Sequence, residues 1–246
     1  MFNSKFLTKH LIIILVFNVT FISWSKDINF NKIEIKHGLF YKKFSKQPFT
    51  GKVTGKIQGK FVKGKKEGKF FKFYANGKLL SESNYKDNKL NGEWYEFFMN
   101  GNLLSKKNYK DGILEGRYLN YYSFGQLLTE RNYYNGKLNG EYLEYYKNGQ
   151  LHKFENYRNG VLEGKALSYH EYELNKKVQL KTKKIYKNGK LEGDFFLFDE
   201  NGNLREKGLY RRGKLEGKYD KYDRYNKLIE TIIYEEGMFH KVITHE

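Results

Sequence analysis

One 24-residue sentence is written twice between Gly92 and Gly140: GEWYEFFMNGNLLSKKNYKDGILE, then GRYLNYYSFGQLLTERNYYNGKLN, before Gly140 begins it again. A chain that repeats itself at such a period stacks one small supersecondary unit many times over, rather than building a single closed core. The unit-opening glycines, read as turn glycines of the repeat, are Gly68, Gly92, Gly116, Gly140, Gly164, Gly193 and Gly217, spaced by 24 residues except for one interval of 29. Two residues after each comes Phe70, Trp94, Tyr118, Tyr142, Ala166, Phe195 or Tyr219. Five residues after each comes another aromatic: Phe73, Phe97, Tyr121, Tyr145, Tyr169, Phe198 or Tyr222. Turn glycines follow at Gly77, Gly101, Gly125, Gly149 and Gly202; Asn226 takes that place in the last unit, and the fifth unit lacks it. A tyrosine column (Tyr85, Tyr109, Tyr133, Tyr157, Tyr186, Tyr210, Tyr234) and a leucine column (Leu90, Leu114, Leu138, Leu162, Leu191, Leu215) flank a second turn, typified by Asn135-Gly136 and Asn188-Gly189.

The pattern reads as hairpins. The chain holds 22 Tyr, 20 Phe and 24 Gly but one Pro, and aromatics favour strands while glycines punctuate them. Asn-Gly between aromatic-rich runs marks a type I′ turn, which needs φ > 0 at both central residues. Asn76-Gly77, Asn100-Gly101, Asn148-Gly149 and Asn201-Gly202 fit that turn. The runs between turns have ordinary strand length. The expected fold is therefore all-β: an elongated antiparallel β-meander of ~24-residue hairpin repeats, some ~15 strands making a ribbon about 70 Å long. Residues 26–47 read as a lead-in, with one strand signalled by Ile33 and Ile35 alternating with charges. The array runs from 48 to 246, opening at Pro48-Phe49-Thr50-Gly51. It ends at Gly237-Met238-Phe239-His240, where the next opening glycine would fall at Lys241, so a degenerate cap is expected there.

Residues 1–25 read as a signal peptide. Lys5 and Lys9 form a positive n-region, Leu11 to Ile22 is largely apolar, and Ser23-Trp24-Ser25 supplies the cleavage site. The apolar run is shorter than the roughly 20 residues of a comfortable membrane span, and no Cys follows it for lipid attachment. Retention as an uncleaved anchor is the alternative. Cleavage after Ser25 implies a secreted or periplasmic protein of the cell envelope with no transmembrane anchor in the mature chain. The formal net charge of +18 implies attraction to anionic partners. Because the lysines are scattered through most repeats, solubility and edge protection account for them as well.

Nothing in the sequence points to catalysis. Without Cys there is no thiolate metal site, disulfide or Cys nucleophile. The six histidines lack metal-ligand spacing, and His240 and His245 would lie on opposite faces of a strand. Gly64-Lys65-Lys66 lacks the ending of a phosphate loop. Glu67, Glu115, Glu163, Glu192 and Glu216 share one repeat column, as solvated turn residues would. No catalytic, metal or cofactor-binding residue is assigned, and no cofactor is expected. The aromatic columns are expected to pack the sheet face. Rings occupy both odd and even positions, as at Phe70, Phe71 and Phe73, so one face remains for a partner.

At these residues the chain resembles MORN-type repeats, and more closely their bacterial YwqK-type antitoxin repeat variant. The resemblance rests on Tyr-x-x-Gly-x-Leu-x-Gly at Tyr133 to Gly140, on Tyr145-Tyr146-Lys147-Asn148-Gly149, and on Pro48-Phe49-Thr50-Gly51 as an array opening. It implies an elongated antiparallel sheet that binds proteins or lipid head groups and has no catalytic residues to transfer. The expected function is that of a secreted, non-catalytic scaffold for protein–protein interaction at the cell envelope. Binding of an anionic envelope lipid or glycan is the alternative, with an antitoxin or immunity role after it. Nucleic acid is not expected. The N-terminal reading predicts that protein from the envelope fraction begins at Lys26 by N-terminal sequencing; intact Met1 on cytoplasmic protein would contradict it.

Overall fold

The computed structural model describes residues 27–172 and 178–246. Ser25 and the proposed signal peptide lie outside the described residues. The chain forms one 20-stranded sheet in which consecutive strands pair antiparallel, from Gly51–Thr54 through to Met238–Thr244. Gly68 opens a representative unit within the strand Lys65–Phe73, which pairs with Leu79–Lys86, which pairs in turn with Lys89–Phe97. Ile28–Asn29 is the exception, running parallel to Val53–Thr54. Among the described residues the only helical turn is the short 3-10 segment Phe30–Lys32. The expected all-β meander of hairpin repeats is the observed architecture.

The turns differ from the sequence expectation. At the tips that carry Asn76-Gly77, Asn100-Gly101, Asn148-Gly149 and Asn201-Gly202, only the glycine has positive φ (+83°, +96°, +84° and +84°). The Gly77 N–H donates to the Tyr74 carbonyl at 3.0 Å and the Tyr74 N–H to the Lys78 carbonyl at 2.8 Å. That pattern is a three-residue loop, a type I turn followed by a left-handed glycine, and not the two-residue type I′ turn expected. The asparagine stays right-handed and its side chain accepts the N–H two residues on, as Asn76 does from Lys78 at 3.1 Å. Type I′ turns occupy the other end of each strand pair: Asn135 and Gly136 have φ of +48° and +73°, and Asn188 and Gly189 have +50° and +75°.

The unit-opening glycines are not turn residues either. Gly68, Gly92, Gly116, Gly140, Gly164, Gly193 and Gly217 lie within or at the start of strands, with φ between +70° and +103°. Gly92 sits where the ladder jumps from Ser83↔Trp94 to Tyr85↔Leu90. A left-handed residue inside a strand breaks the pairing locally and bends it, which is a β-bulge. A Cβ at Gly68 would meet no atom within 4 Å, so backbone conformation and not space demands glycine there.

The core is local. Phe40, Phe49, Val53, Phe61 and Phe70 form the one cluster of buried apolar side chains among the described residues. The lead-in closes it: the hairpin of Ile33–Lys36 and Leu39–Lys42 folds over the first strands, with the Phe40 N–H on the Gly64 carbonyl at 2.9 Å. Gly59 lets the Phe70 ring come within 2.5 Å of where a Cβ would stand. Lys66 occupies the leucine-column position of this first unit and lies over the Phe40, Phe70 and Tyr85 rings. Burial pushes its ammonium pKa down. Beyond this end the described residues form a single layer. At the other end the expected degenerate cap takes the form of a strand, Met238–Thr244, exposed throughout, with Lys241 at the opening-glycine position on the outer edge.

Each repeat contacts mainly its neighbours, so the array tolerates loss of a whole unit. Deleting Gly116 to Asn139 is expected to give a folded protein of lower stability with an unchanged strand signature by circular dichroism. Deleting only residues 116–127 reverses strand polarity at the junction and is expected to unfold or aggregate it. Equal behaviour of the two deletions would contradict the array.

Candidate functional site

Cross-strand register brings the residues two after each opening glycine into one row. In order across the sheet it reads Phe70, Ser83, Trp94, Lys107, Tyr118, Arg131, Tyr142, Glu155, Ala166, Lys184, Phe195, Gly208, Tyr219. Rings and cations interleave. Lys107 lies 5.2 Å from the Trp94 ring centroid and 5.0 Å from that of Tyr118. Arg131 lies 5.5 Å from Tyr118 and 5.4 Å from Tyr142. Each such contact contributes about 0.5–2 kcal/mol, more where water is excluded. The tyrosine column packs beside the row on the same face: Trp94–Tyr109, Tyr118–Tyr133 and Tyr142–Tyr157 have centroids 5.7, 6.1 and 6.3 Å apart.

Acids hold the cations. Glu96 accepts from the Ser105 hydroxyl at 2.7 Å and from Lys107 at 3.0 Å. Burial raises the Glu96 pKa, but those two hydrogen bonds and the charges of Lys107 and Lys72 together outweigh it, and the carboxyl ends below its ordinary value. Glu155 accepts from Lys153 at 2.8 Å and from the Tyr157 hydroxyl at 2.9 Å. Burial, then the bond to Glu155, pushes the Tyr157 phenol up. Lys107 in the row and Lys153 beside it are thus charge-paired.

The opposite face carries rings too. Phe73, Phe97, Tyr121, Tyr145, Tyr169, Phe198 and Tyr222 sit half-buried at strand ends, next to the three-residue tips. Phe196 and Phe198 stack there with centroids 6.2 Å apart, and Lys183 lies 5.4 Å from the Phe196 ring. Exposed ion pairs share this face, as in Lys106–Glu93 and Arg117–Glu130, both at 2.7 Å. Rings on both faces were legible from their odd and even spacing.

Two side-chain functions escaped the sequence. Tyr74, Tyr122 and Tyr146 donate their hydroxyls to the carbonyls of Phe97, Tyr145 and Tyr169 in the following unit at 2.7, 3.0 and 2.9 Å. His170 takes the same role against Phe198 at 2.9 Å. The glutamate column caps turns: Glu67, Glu115, Glu163, Glu192 and Glu216 accept the N–H of the first residue in the next type I′ turn, at 2.7–3.1 Å. Their repetition at one column was a visible signal, but its partner is a backbone group one unit away. This turn edge also pairs like charges directly across strands, Lys86 with Lys89, Lys187 with Lys190, and Arg211 with Lys214.

Among the described residues, no group of three or more His, Asp or Glu side chains is arranged to hold a metal ion. His245 bonds Thr231 at 3.0 Å. No helix among them is long and apolar enough to cross a membrane. Residues 66–87, 90–111, 114–137, 138–159 and 191–212 each match the MORN repeat variant. No curated protein matches the chain. The matches follow observed strand pairs and leave out the strands before residue 66, the unit that holds Ala166 with the lengthened connection after Tyr169, and everything after residue 212.

Proposed function

The chain is built of MORN-variant repeats, a repeat type engaged in binding or interaction, and from that premise we propose that it is a non-catalytic scaffold that binds another protein at the cell envelope. One observation carries this reading: beyond the N-terminal cluster no second layer covers the sheet among the described residues, and half-exposed rings flanked by cations stand on both faces. Tyr, Trp and Arg are the residues that concentrate binding energy in protein interfaces. The ion pairs beside the rings supply a polar rim. Carboxylates that cap turns or hold lysines are already engaged, which leaves the non-catalytic reading the simpler one. The envelope location rests on residues 1–25. The antitoxin or immunity reading rests on the YwqK-type resemblance alone.

The turn edge favours a second reading, attachment to an anionic lipid or glycan. Like charges placed directly opposite destabilise a sheet, yet Lys86–Lys89, Lys187–Lys190 and Arg211–Lys214 are exposed pairs of this kind. Such a ridge attracts a polyanion, and salt screens it.

Two variants separate the readings. Lys78, Lys137, Lys190 and Lys214 are exposed, and changing all four to Gln is expected to alter stability little, each within about ±0.5 kcal/mol. Tyr95→Ser with Phe196→Ser removes two rings, each with a lysine over it, from the face opposite the row. For a protein partner, capture from an envelope extract survives the lysine changes and high salt and is lost in the ring variant. For the electrostatic reading, binding to phosphatidylglycerol vesicles falls steeply with salt and with the lysine changes, and the ring variant binds normally. That second pattern would overturn the protein-binding proposal.

A further inference from the structure

The aromatic row is broken once between Phe70 and Tyr219, at Ala166. Ala166 is paired with Glu155 on one side and Lys184 on the other. Where every other unit in the row raises a ring, the surface here holds a groove of about 360 Å³, lined by Lys153, Glu155, Ser168, Thr182, Lys184 and Tyr186 among others. That volume lies at the lower end of sites that take small ligands.

Cations flank the gap although the ring is gone. Lys153 lies 5.7 Å from the Tyr142 ring on one side of the gap, and Lys184 lies 5.8 Å from the Phe195 ring on the other. Lys153 is held by Glu155 at 2.8 Å. No described carboxylate pairs with Lys184. Ala166 itself is buried, covered by long side chains whose charged ends reach water and move readily.

The floor also carries a hydrogen-bonding group in the right place. In the preceding unit the Tyr142 hydroxyl reaches Glu144, two residues on along its strand, at 3.0 Å. The residue two after Ala166 is Ser168, whose hydroxyl shares a 2.6 Å bond with that of Thr182. A phenol seated as Tyr142 is would put its ring against Lys184 and its hydroxyl on this Ser–Thr pair.

We propose that the gap at Ala166 is a receptor slot for a phenolic ring, supplied by a tyrosine side chain of a partner polypeptide that completes the row. The source of the ring rests on the protein-binding reading above; the slot itself does not. The guest ring replaces what the repeat provides elsewhere: a flat face for the Lys184 ammonium and a hydroxyl for a polar floor.

The chain has two alanines, Ala75 and Ala166, so methyl-labelled alanine gives one reporter in the slot and one control at a distant turn. Titration with p-cresol, the tyrosine side chain as a free molecule, is expected to shift the Ala166 methyl upfield saturably and leave Ala75 in place. Toluene and the Lys184→Gln variant are expected to bind several-fold more weakly. Ala166→Tyr fills the slot with the chain's own ring; it should abolish p-cresol binding by ligand-detected saturation transfer and leave the melting temperature equal or higher. Ala166→Leu serves as a second filling variant should the tyrosine disturb the fold. An acetylated, amidated Gly-Tyr-Gly peptide is expected to compete with p-cresol, and the Phe analogue much less. An unmoved Ala166 methyl, or undiminished binding to the filled variants, would overturn the slot. Binding of p-cresol without competition by the peptide would overturn the polypeptide source. Loss of partner capture from extracts with p-cresol binding intact would fault the protein-binding reading and leave the slot standing.

Discussion

The type I′ turns of the array each donate a backbone hydrogen bond to the strand that leaves the turn before. The glycine N–H groups of Gly112, Gly136, Gly160, Gly213 and Gly237 reach the carbonyls of Leu90, Leu114, Leu138, Leu191 and Leu215 at 2.7–3.0 Å. In an isolated hairpin that N–H would face water. Here it fixes the spacing of one unit on the next, and the glutamate or asparagine beside it takes the neighbouring turn N–H. The opposite edge is tied by the tyrosine hydroxyls on the next unit's carbonyls. A net hydrogen bond is worth only about 1 kcal/mol. Repeated at both edges in nearly every unit, such bonds hold a single-layer ribbon in register where no second layer can.

The absence of that layer explains the faces. A buried core would ask for apolar residues, whereas this sheet needs side chains that cover each other and remain compatible with water. Rings interleaved with lysine and arginine meet both demands, because the cation rests on a ring face while its head stays hydrated. Glu96 and Glu155 then anchor Lys107 and Lys153. The same composition leaves a surface suited to a partner, so stability and binding draw on one set of residues. Ala166 is where the two separate: the row loses a ring there without losing the groups that would hold one.

Much of this was legible in the sequence. The period, the strands and the placing of rings on both faces follow from Gly92 to Gly140 alone. What misled was the equivalence of like dipeptides. Asn-Gly stands at both kinds of turn, and the number of residues between paired strand ends decides which forms. Tyr74 to Lys78 enclose three residues and demand one left-handed position; Tyr134 to Lys137 enclose two and demand both. The opening glycines announced the period, but a bulge inside a strand leaves no mark beyond the glycine itself. The tyrosine ties and glutamate caps end on backbone atoms, which carry no signature in side-chain columns. The lead-in carries none of the repeat columns, and only its folding over Phe49 and Phe61 reveals the shared core.

Hydrogen exchange at the turn glycines tests the stitched array most directly. The amides of Gly112, Gly136, Gly160 and Gly213 are expected to exchange as slowly as mid-strand amides of their own units, with Gly237 faster near the outer edge. Exchange of all five at the rate of a free hairpin turn, while the strands stay protected, would contradict the account.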